Sequence, residues 1–121
     1  MFGFGNKTEI KKIDINEAFR RFEKDPQKIV IICVDEQKDF DNSHIAGAEC
    51  LPLRLIDKIE DYYPEKELTY FIYAINPSIS ETACKKAIKH GYNIYNLGSF
   101  IDYHEAEEGW DVRKKARKRR K

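Results

Sequence analysis

The fold of this chain is decided by residues 70–91, which open with the apolar, aromatic run Tyr70-Phe71-Ile72-Tyr73-Ala74. Ile75-Asn76-Pro77 interrupts the run, and a helical pattern follows from about Ser80 to Lys89. This order predicts a β-strand that passes through a short loop into an α-helix. In such a unit the N–H groups of the loop and the positive end of the helix point at one small volume. That volume commonly holds an anion or a reactive side chain.

The loop after this strand has the position of a reactive site but none of the usual reactive side chains. No Cys, His, Lys, Arg, Asp or Glu lies between Ala74 and Ile79. The segment therefore predicts a neutral, partly apolar binding loop, suited to a protein loop or a small neutral ligand. Its residues are Ala74, Ile75, Asn76, Pro77, Ser78, Ile79 and Ser80. Ser78 either hydrogen-bonds a ligand or caps the helix, and its capping-box spacing to Glu81 favours the cap.

Strands and helices alternate along the rest of the chain. Ile29–Val34 is almost continuously apolar and β-branched, as in a strand covered on both faces of a parallel sheet. Short strands are also predicted at 49–51 and 93–97, and Gly98 is expected to begin a last helical segment. The fold class is therefore α/β: one domain, with a mostly parallel sheet of about five strands and helices on both faces. Ligands in such folds lie beyond the carboxyl ends of the strands, where the Ala74–Ile79 loop is expected.

Length and composition fit one domain without metal or cofactor. The 121 residues are 41% hydrophobic, which suffices for a modest core. No run approaches the ~20 apolar residues of a membrane span, and the first residues do not resemble a secretory signal. We therefore expect a cytoplasmic protein. Cys33, Cys50 and Cys84 lack CxxC spacing, and no two histidines have metal-ligand spacing, which predicts free thiols and no metal site.

The net charge of +1 hides a strong asymmetry. Eight of the 22 basic residues lie in 113–121, which leaves 14 basic against 21 acidic residues in 1–112, a net charge of −7. The eight are Arg113, Lys114, Lys115, Arg117, Lys118, Arg119, Arg120 and Lys121. Three interpretations stay open: a disordered end, a tether to nucleic acid or an anionic membrane, and a contact with the acidic body. The predicted organisation is a flexible leader (1–9), one domain (10–112) and this basic tail (113–121).

Several segments occur in an order that resembles the rhodanese-like (sulfurtransferase) domain family, over about residues 13–110. Ile31-Ile32-Cys33-Val34-Asp35 resembles the hydrophobic strand and Asp-Val-Arg of the family, and Asp39-Phe40 resembles its Glu-Tyr. Ser43-His44-Ile45-Ala46-Gly47-Ala48 is similar to Gly-His-Ile-Pro-Gly-Ala, in which the histidine is a structural turn residue. Cys50-Leu51-Pro52 and the ending at residues 91–99 also resemble the family pattern.

The resemblance implies a sulfurtransferase fold whose reactive loop has lost its chemistry. In the family a cysteine directly after the strand accepts sulfur as a persulfide, while loop N–H groups and arginines hold the anion. Here Ala74 stands at the cysteine position and Ile75 and Ile79 at the arginine positions, and Pro77 has no N–H. Because a methyl group cannot attack sulfur, no catalytic residue is assigned. The leading hypothesis is a catalytically inactive rhodanese-like domain that acts as a binding or regulatory module for an unknown protein or small ligand.

Two other functions are kept as alternatives. One is a divergent sulfurtransferase that carries a persulfide on Cys33, which stands where the family usually has Asp and lies near the end of its strand. A reactive thiol needs a positive neighbour, whereas Asp35 and Glu36 are negative. The other alternative is a polyanion-associated protein held to nucleic acid or an anionic surface by residues 113–121.

Overall fold

Five parallel β-strands form a single sheet in the computed structural model, which describes residues 9–102. The strands are β1 (Lys11–Lys12), β2 (Ile29–Cys33), β3 (Glu49–Cys50), β4 (Thr69–Ala74) and β5 (Asn93–Ser99), and their order across the sheet is β1-β5-β4-β2-β3. The predicted α/β class with a parallel sheet is thus confirmed. The basic tail, and all but the last residue of the leader, lie outside the described residues.

Helices cover both faces of the sheet. The α-helices are α1 (Ile15–Lys24), α2 (Gln37–Asn42), α3 (Ile59–Tyr62) and α4 (Pro77–Ile88), and 3-10 helices span Leu53–Lys58 and Phe100–Asp102. On one face α4 and the Leu53–Tyr62 segment pack on Ile32, Ile72 and Ile94. On the other face α1 packs on Ile31, Phe71 and Leu97. Both strands read as continuous apolar runs because their successive residues are buried in turn on opposite faces of the sheet.

The chain reverses its winding direction between β2 and β4. From β2 the chain moves outward to β3, whereas from β4 it moves outward to β5 on the other side. The two connections therefore diverge, and a crevice opens beyond the carboxyl ends of β2 and β4. This is the usual ligand position in sheets of this kind.

Two features of β5 differ from the sequence prediction: its pairing with β1 and the irregularity at Gly98. β1, which pairs Lys11 with Tyr95, was missed because two lysines do not resemble a buried strand; charged residues are typical of short edge strands. Gly98 does not begin a helix. It has φ +82° and lies at an irregularity where Ile72 pairs with Asn96 but Tyr73 pairs with Gly98, and glycine tolerates such a bulge.

Helix α4 begins earlier than predicted, at Pro77, and its cap is Asn76 rather than Ser78. The side chain of Asn76 accepts a hydrogen bond from the Ser78 N–H at 2.9 Å. Pro77 occupies the first helical turn, where its missing N–H costs nothing and its fixed φ favours the helix. The expectation that Ser78 caps the helix was wrong because the helix begins at Pro77, directly after Asn76, which leaves a loop of only two residues after β4.

The turn before β3 is fixed to both the sheet and α1. The Ile45 N–H donates to the buried Tyr73 hydroxyl at 3.0 Å. The His44 ring stacks on Phe40 with centroids 3.9 Å apart, and its Nδ1 lies 2.8 Å from the Phe40 carbonyl oxygen. His44 therefore has contacts of a structural residue. Gly47, with φ +87°, closes the turn against Phe22.

Replacement of Gly47 by alanine should destabilise the fold more than replacement of Gly98. Both glycines have positive φ, which costs an L-residue about 1–3 kcal/mol. A Cβ on Gly47 would also lie 2.6 Å from Phe22 Cε2, whereas a Cβ on Gly98 meets nothing within 4 Å. Urea unfolding of Gly47→Ala and Gly98→Ala measures the difference in the free energy of unfolding. Equal losses would contradict the contact between Gly47 and Phe22.

Candidate functional site

The crevice beyond β2 and β4 is closed by a hydrogen bond between the two strand ends. Asp35 follows β2, and its carboxylate accepts the N–H of Ile75, the first residue after β4, at 3.0 Å (Oδ2). The same oxygen accepts the Cys33 thiol at 3.3 Å, and the Asp35 carbonyl oxygen accepts the Cys50 thiol at 3.3 Å. Asp35 thus connects three strands where the family resemblance places an anion-binding loop.

The N–H groups at the start of α4 are already used within the chain. The Ser78 N–H donates to the Asn76 side chain, and the N–H groups of Ile79 and Ser80 donate to the Asn76 carbonyl oxygen. Pro77 has no N–H. Together with the bond from Ile75 to Asp35, these contacts engage four N–H groups of residues 75–80 that would otherwise be open to an anion. The resulting arrangement closes the loop on itself.

Ala74 and Ser80, the two ends of the predicted binding loop, point into the core. Both are fully buried. The Ala74 methyl group packs in the apolar cluster with Ala83 and Ile72. The Ser80 hydroxyl donates to the Asn96 side-chain oxygen at 2.6 Å. The loop predicted over residues 74–80 therefore exposes only its middle, where Ile75, Asn76, Pro77 and Ser78 are exposed and Ile79 is half-buried.

Beside this loop lies a groove of about 360 Å³, which we call the acidic groove. Its walls are Val34, Asp35, Glu36, Asp39, Leu53, Arg54 and Ile79. The apolar residues belong to the α4 face of the core or pack against it. Three carboxylates and one guanidinium form the polar part. The prediction of a neutral loop concerned residues 74–80 alone, and the acids of the groove come from α2 and from the turn before it.

The single cation of the acidic groove is engaged by one of the three carboxylates. Arg54 Nε lies 3.1 Å from both carboxylate oxygens of Glu36. Within residues 9–102, no salt bridge involves Asp35 or Asp39. The groove therefore presents a net negative charge beside an apolar wall.

None of the three cysteines has the environment of a reactive thiolate. Burial, aided by the negative charge of Asp35, raises the pKa of the Cys33 thiol to about 12. Burial also raises the pKa of Cys84 to about 12. The pKa of Cys50 is raised by burial and then by the charges of Asp35, Asp41 and Glu36. Cys50 alone of the three is partly exposed.

Two further features of residues 9–102 bear on where a ligand or a metal ion could bind. An open cavity of about 490 Å³ lies at the β1 edge, with Lys12, Asp14 and Glu81 among its lining residues. Within this part of the chain, no His, Cys, Asp and Glu side chains cluster as metal ligands would. In the same range, none of the helices has the length and apolarity that a bilayer crossing requires.

The sequence predicted the loop after β4 as the candidate site but did not identify Asp35 as the residue that closes it. Asp35 is 40 residues from Ile75 in the chain. The available signal was that Asp35 directly follows a predicted buried strand, next to the strand that carries the loop. Parallel strands end at the same edge of a sheet, so this position could have been placed beside the loop.

Comparison with known proteins relates the fold to solved structures only. No protein-family model matches the sequence, and no curated protein matches it. A protein of Staphylococcus saprophyticus, SSP1007, is 21% identical, with a TM-score of 0.68 over 79% of this chain and 95% of that one. A rhodanese from E. coli, solved with anions, is 24% identical, with a TM-score of 0.58 over 63% of this chain and 92% of that one.

A third structure extends the likeness over more of the chain. The rhodanese-like domain of the Alr3790 protein from Anabaena sp. is 15% identical, with a TM-score of 0.65 over 86% of this chain and 75% of that one. At these identities the likeness concerns the fold and not the activity. The five-stranded parallel sheet, its helices on both faces and these neighbours together show that this chain has the rhodanese-like fold.

Proposed function

We propose that this domain does not transfer sulfur and that it acts as a binding module whose acidic groove takes a positively charged, partly apolar group. The observation that carries the proposal is the hydrogen bond from the Ile75 N–H to the Asp35 carboxylate. A negative side chain of the protein holds a backbone donor of the loop where the family resemblance places a bound anion.

A sulfur-donor anion such as thiosulfate is disfavoured at this site by charge. Two unit charges about 5 Å apart repel each other by about 3 kcal/mol at an effective dielectric constant of 20. A ligand that binds with a millimolar Kd has a binding free energy of only about −4 kcal/mol. The charge of Asp35 is therefore large enough to cancel most of the affinity expected for a weakly bound anionic substrate.

A cation is favoured by the same groups. Three carboxylates surround a wall made by Val34, Leu53 and Ile79. A lysine or arginine side chain combines a positive end with an apolar stem, so it fits such a surface. A basic segment of a protein is thus the ligand class that the groove supports best.

The unmodified protein should show no sulfur transfer from thiosulfate to cyanide. Ala74 offers no nucleophile, and Asp35 repels the donor. The assay measures thiocyanate, and mass spectrometry of the intact protein detects a persulfide as the mass of one added sulfur atom. Thiocyanate formation, or a persulfide on Cys33, would establish the sulfurtransferase alternative instead.

The variant Ala74→Cys alone should remain at background activity, and Ala74→Ser is its matched control. The side chain at this position is buried, and four N–H groups of residues 75–80 are engaged within the chain. The double variant Ala74→Cys/Asp35→Asn should also stay near background, because removal of the Asp35 charge leaves the side chain at position 74 buried. Substantial turnover by Ala74→Cys alone, measured as thiocyanate release, would show that Asp35 does not exclude the anion.

The thiols should react with iodoacetamide in the order Cys50 before Cys33 and Cys84. With a pKa of about 12, only about one Cys33 thiol in 10⁴ is ionised at pH 8, and its buried position adds a steric barrier. Peptide mapping after timed alkylation gives the order, and the variant Cys50→Ser should remove the early product. Alkylation of Cys33 first would contradict its inert environment and support the persulfide alternative.

A further inference from the structure

The chain itself contains a segment whose charge is opposite to that of the acidic groove. We propose that the basic segment Arg113–Lys121 binds the acidic groove of its own molecule. The proposal rests on the function proposed above, because it names the group that fills the same site. Partner segments of similar chemistry would then bind only by displacing it.

Charge complementarity is the first support. The groove carries Asp35, Glu36 and Asp39 against Arg54 alone. Residues 113–121 contain eight basic residues and no acid. The negative field extends around the groove, since the charges of Asp35, Asp41 and Glu36 all raise the pKa of the neighbouring Cys50 thiol. A surface of this sign attracts a basic segment and repels the acidic residues at 105–111.

The place where the described chain ends is the second support. Ser99 pairs with Ala74, and its hydroxyl donates to the Ile75 carbonyl oxygen at 2.7 Å. The Ile101 N–H donates to the same hydroxyl at 3.1 Å. The chain therefore leaves β5 directly beside the loop, at the edge of the sheet where the groove opens.

The connection is long enough to reach the groove. β5 and β2 are separated by β4 alone, so their ends lie roughly 10 Å apart. Ten residues, 103–112, connect the end of the described chain to Arg113, and ten residues span up to about 35 Å when extended. A linker of this length gives an effective concentration in the millimolar range. A contact whose intrinsic Kd lies below the millimolar range would therefore be formed in most molecules.

Exposed apolar side chains lie between the exit of the chain and the groove. Ile101 is 75% exposed and Ile75 is 42% exposed, which makes them two of the most exposed large hydrophobic residues within 9–102. Ile79, four residues after Ile75 in the chain, lines the groove itself. The alkyl stems of lysine and arginine side chains can cover such residues while their charged ends meet the carboxylates.

The first test compares two full-length proteins by NMR: the unmodified chain, and a variant in which all eight basic residues of 113–121 are replaced by Gln. At about 20 mM salt, where the Debye length is roughly 20 Å, the amide signals of Asp35, Glu36, Asp39 and Ile79 should differ between the two. At about 500 mM salt, with a Debye length of roughly 4 Å, the difference should largely disappear.

The second test adds a synthetic peptide of residues 113–121 to the variant with the Gln tail. The peptide should restore the groove shifts, and the added changes Asp35→Asn/Asp39→Asn should weaken its binding at least fivefold. If the double variant does not fold, Asp39→Asn alone takes its place. It keeps the bond from Ile75 to Asp35 and should weaken binding about twofold to threefold. Glu65→Gln/Glu67→Gln is the matched control, because it removes two charges just before β4, at the opposite edge of the sheet.

The remaining outcomes overturn the proposal in distinguishable ways. Identical groove signals in the two full-length proteins at low salt would exclude the contact within one molecule. Shifts that grow with protein concentration would assign the contact to the tail of another copy. Identical signals combined with tail-dependent binding to heparin would make the tail a polyanion tether. None of these results alters the thiosulfate assay, so the proposed lack of sulfur transfer stands or fails separately.

Discussion

The hydrogen bond between the Asp35 carboxylate and the Ile75 N–H is the constraint on which the site depends. It joins the carboxyl ends of β2 and β4, where the two crossover connections diverge and a crevice must open. Bonds to a charged acceptor are stronger than neutral ones, roughly 1.5–3 kcal/mol net. Asp35 remains half-buried, so its charge keeps contact with water. The bond therefore stabilises the loop and leaves a negative charge at the mouth of the crevice.

The parts of the fold that the sequence predicts are those in which local pattern and tertiary burial agree. β2 and β4 are apolar on both faces because helices cover both sides of the sheet, and α1 has an acidic cap, Asp14, whose side chain accepts the N–H groups of Asn16 and Glu17. β1 could not be predicted, since two lysines form a strand only because β5 offers them a partner. The bulge at Gly98 likewise depends on how β5 fits β4.

The sequence predicts a candidate site at the loop after β4, but not the charge of the groove beside it. Local composition described residues 74–80 as neutral, and the exposed middle of the loop is neutral. The acids come from the turn after β2 and from α2, which reach the loop only through the sheet order. The cap illustrates the same limit: Asn76 and Ser78 are both good capping residues, and the choice between them depends on where α4 begins.

The polarity of the groove follows from comparing the charges that meet there. The N-terminus of a helix is equivalent to roughly +0.5 elementary charge, and α4 contributes this to the crevice. Asn76 and Asp35 already accept hydrogen bonds from four N–H groups of residues 75–80, which are then not open to an anion. Against this partial positive charge stands the net negative charge of the groove lining, which holds three carboxylates and one guanidinium. The side chains therefore outweigh the helix, and the groove beside the start of α4 carries a net negative charge.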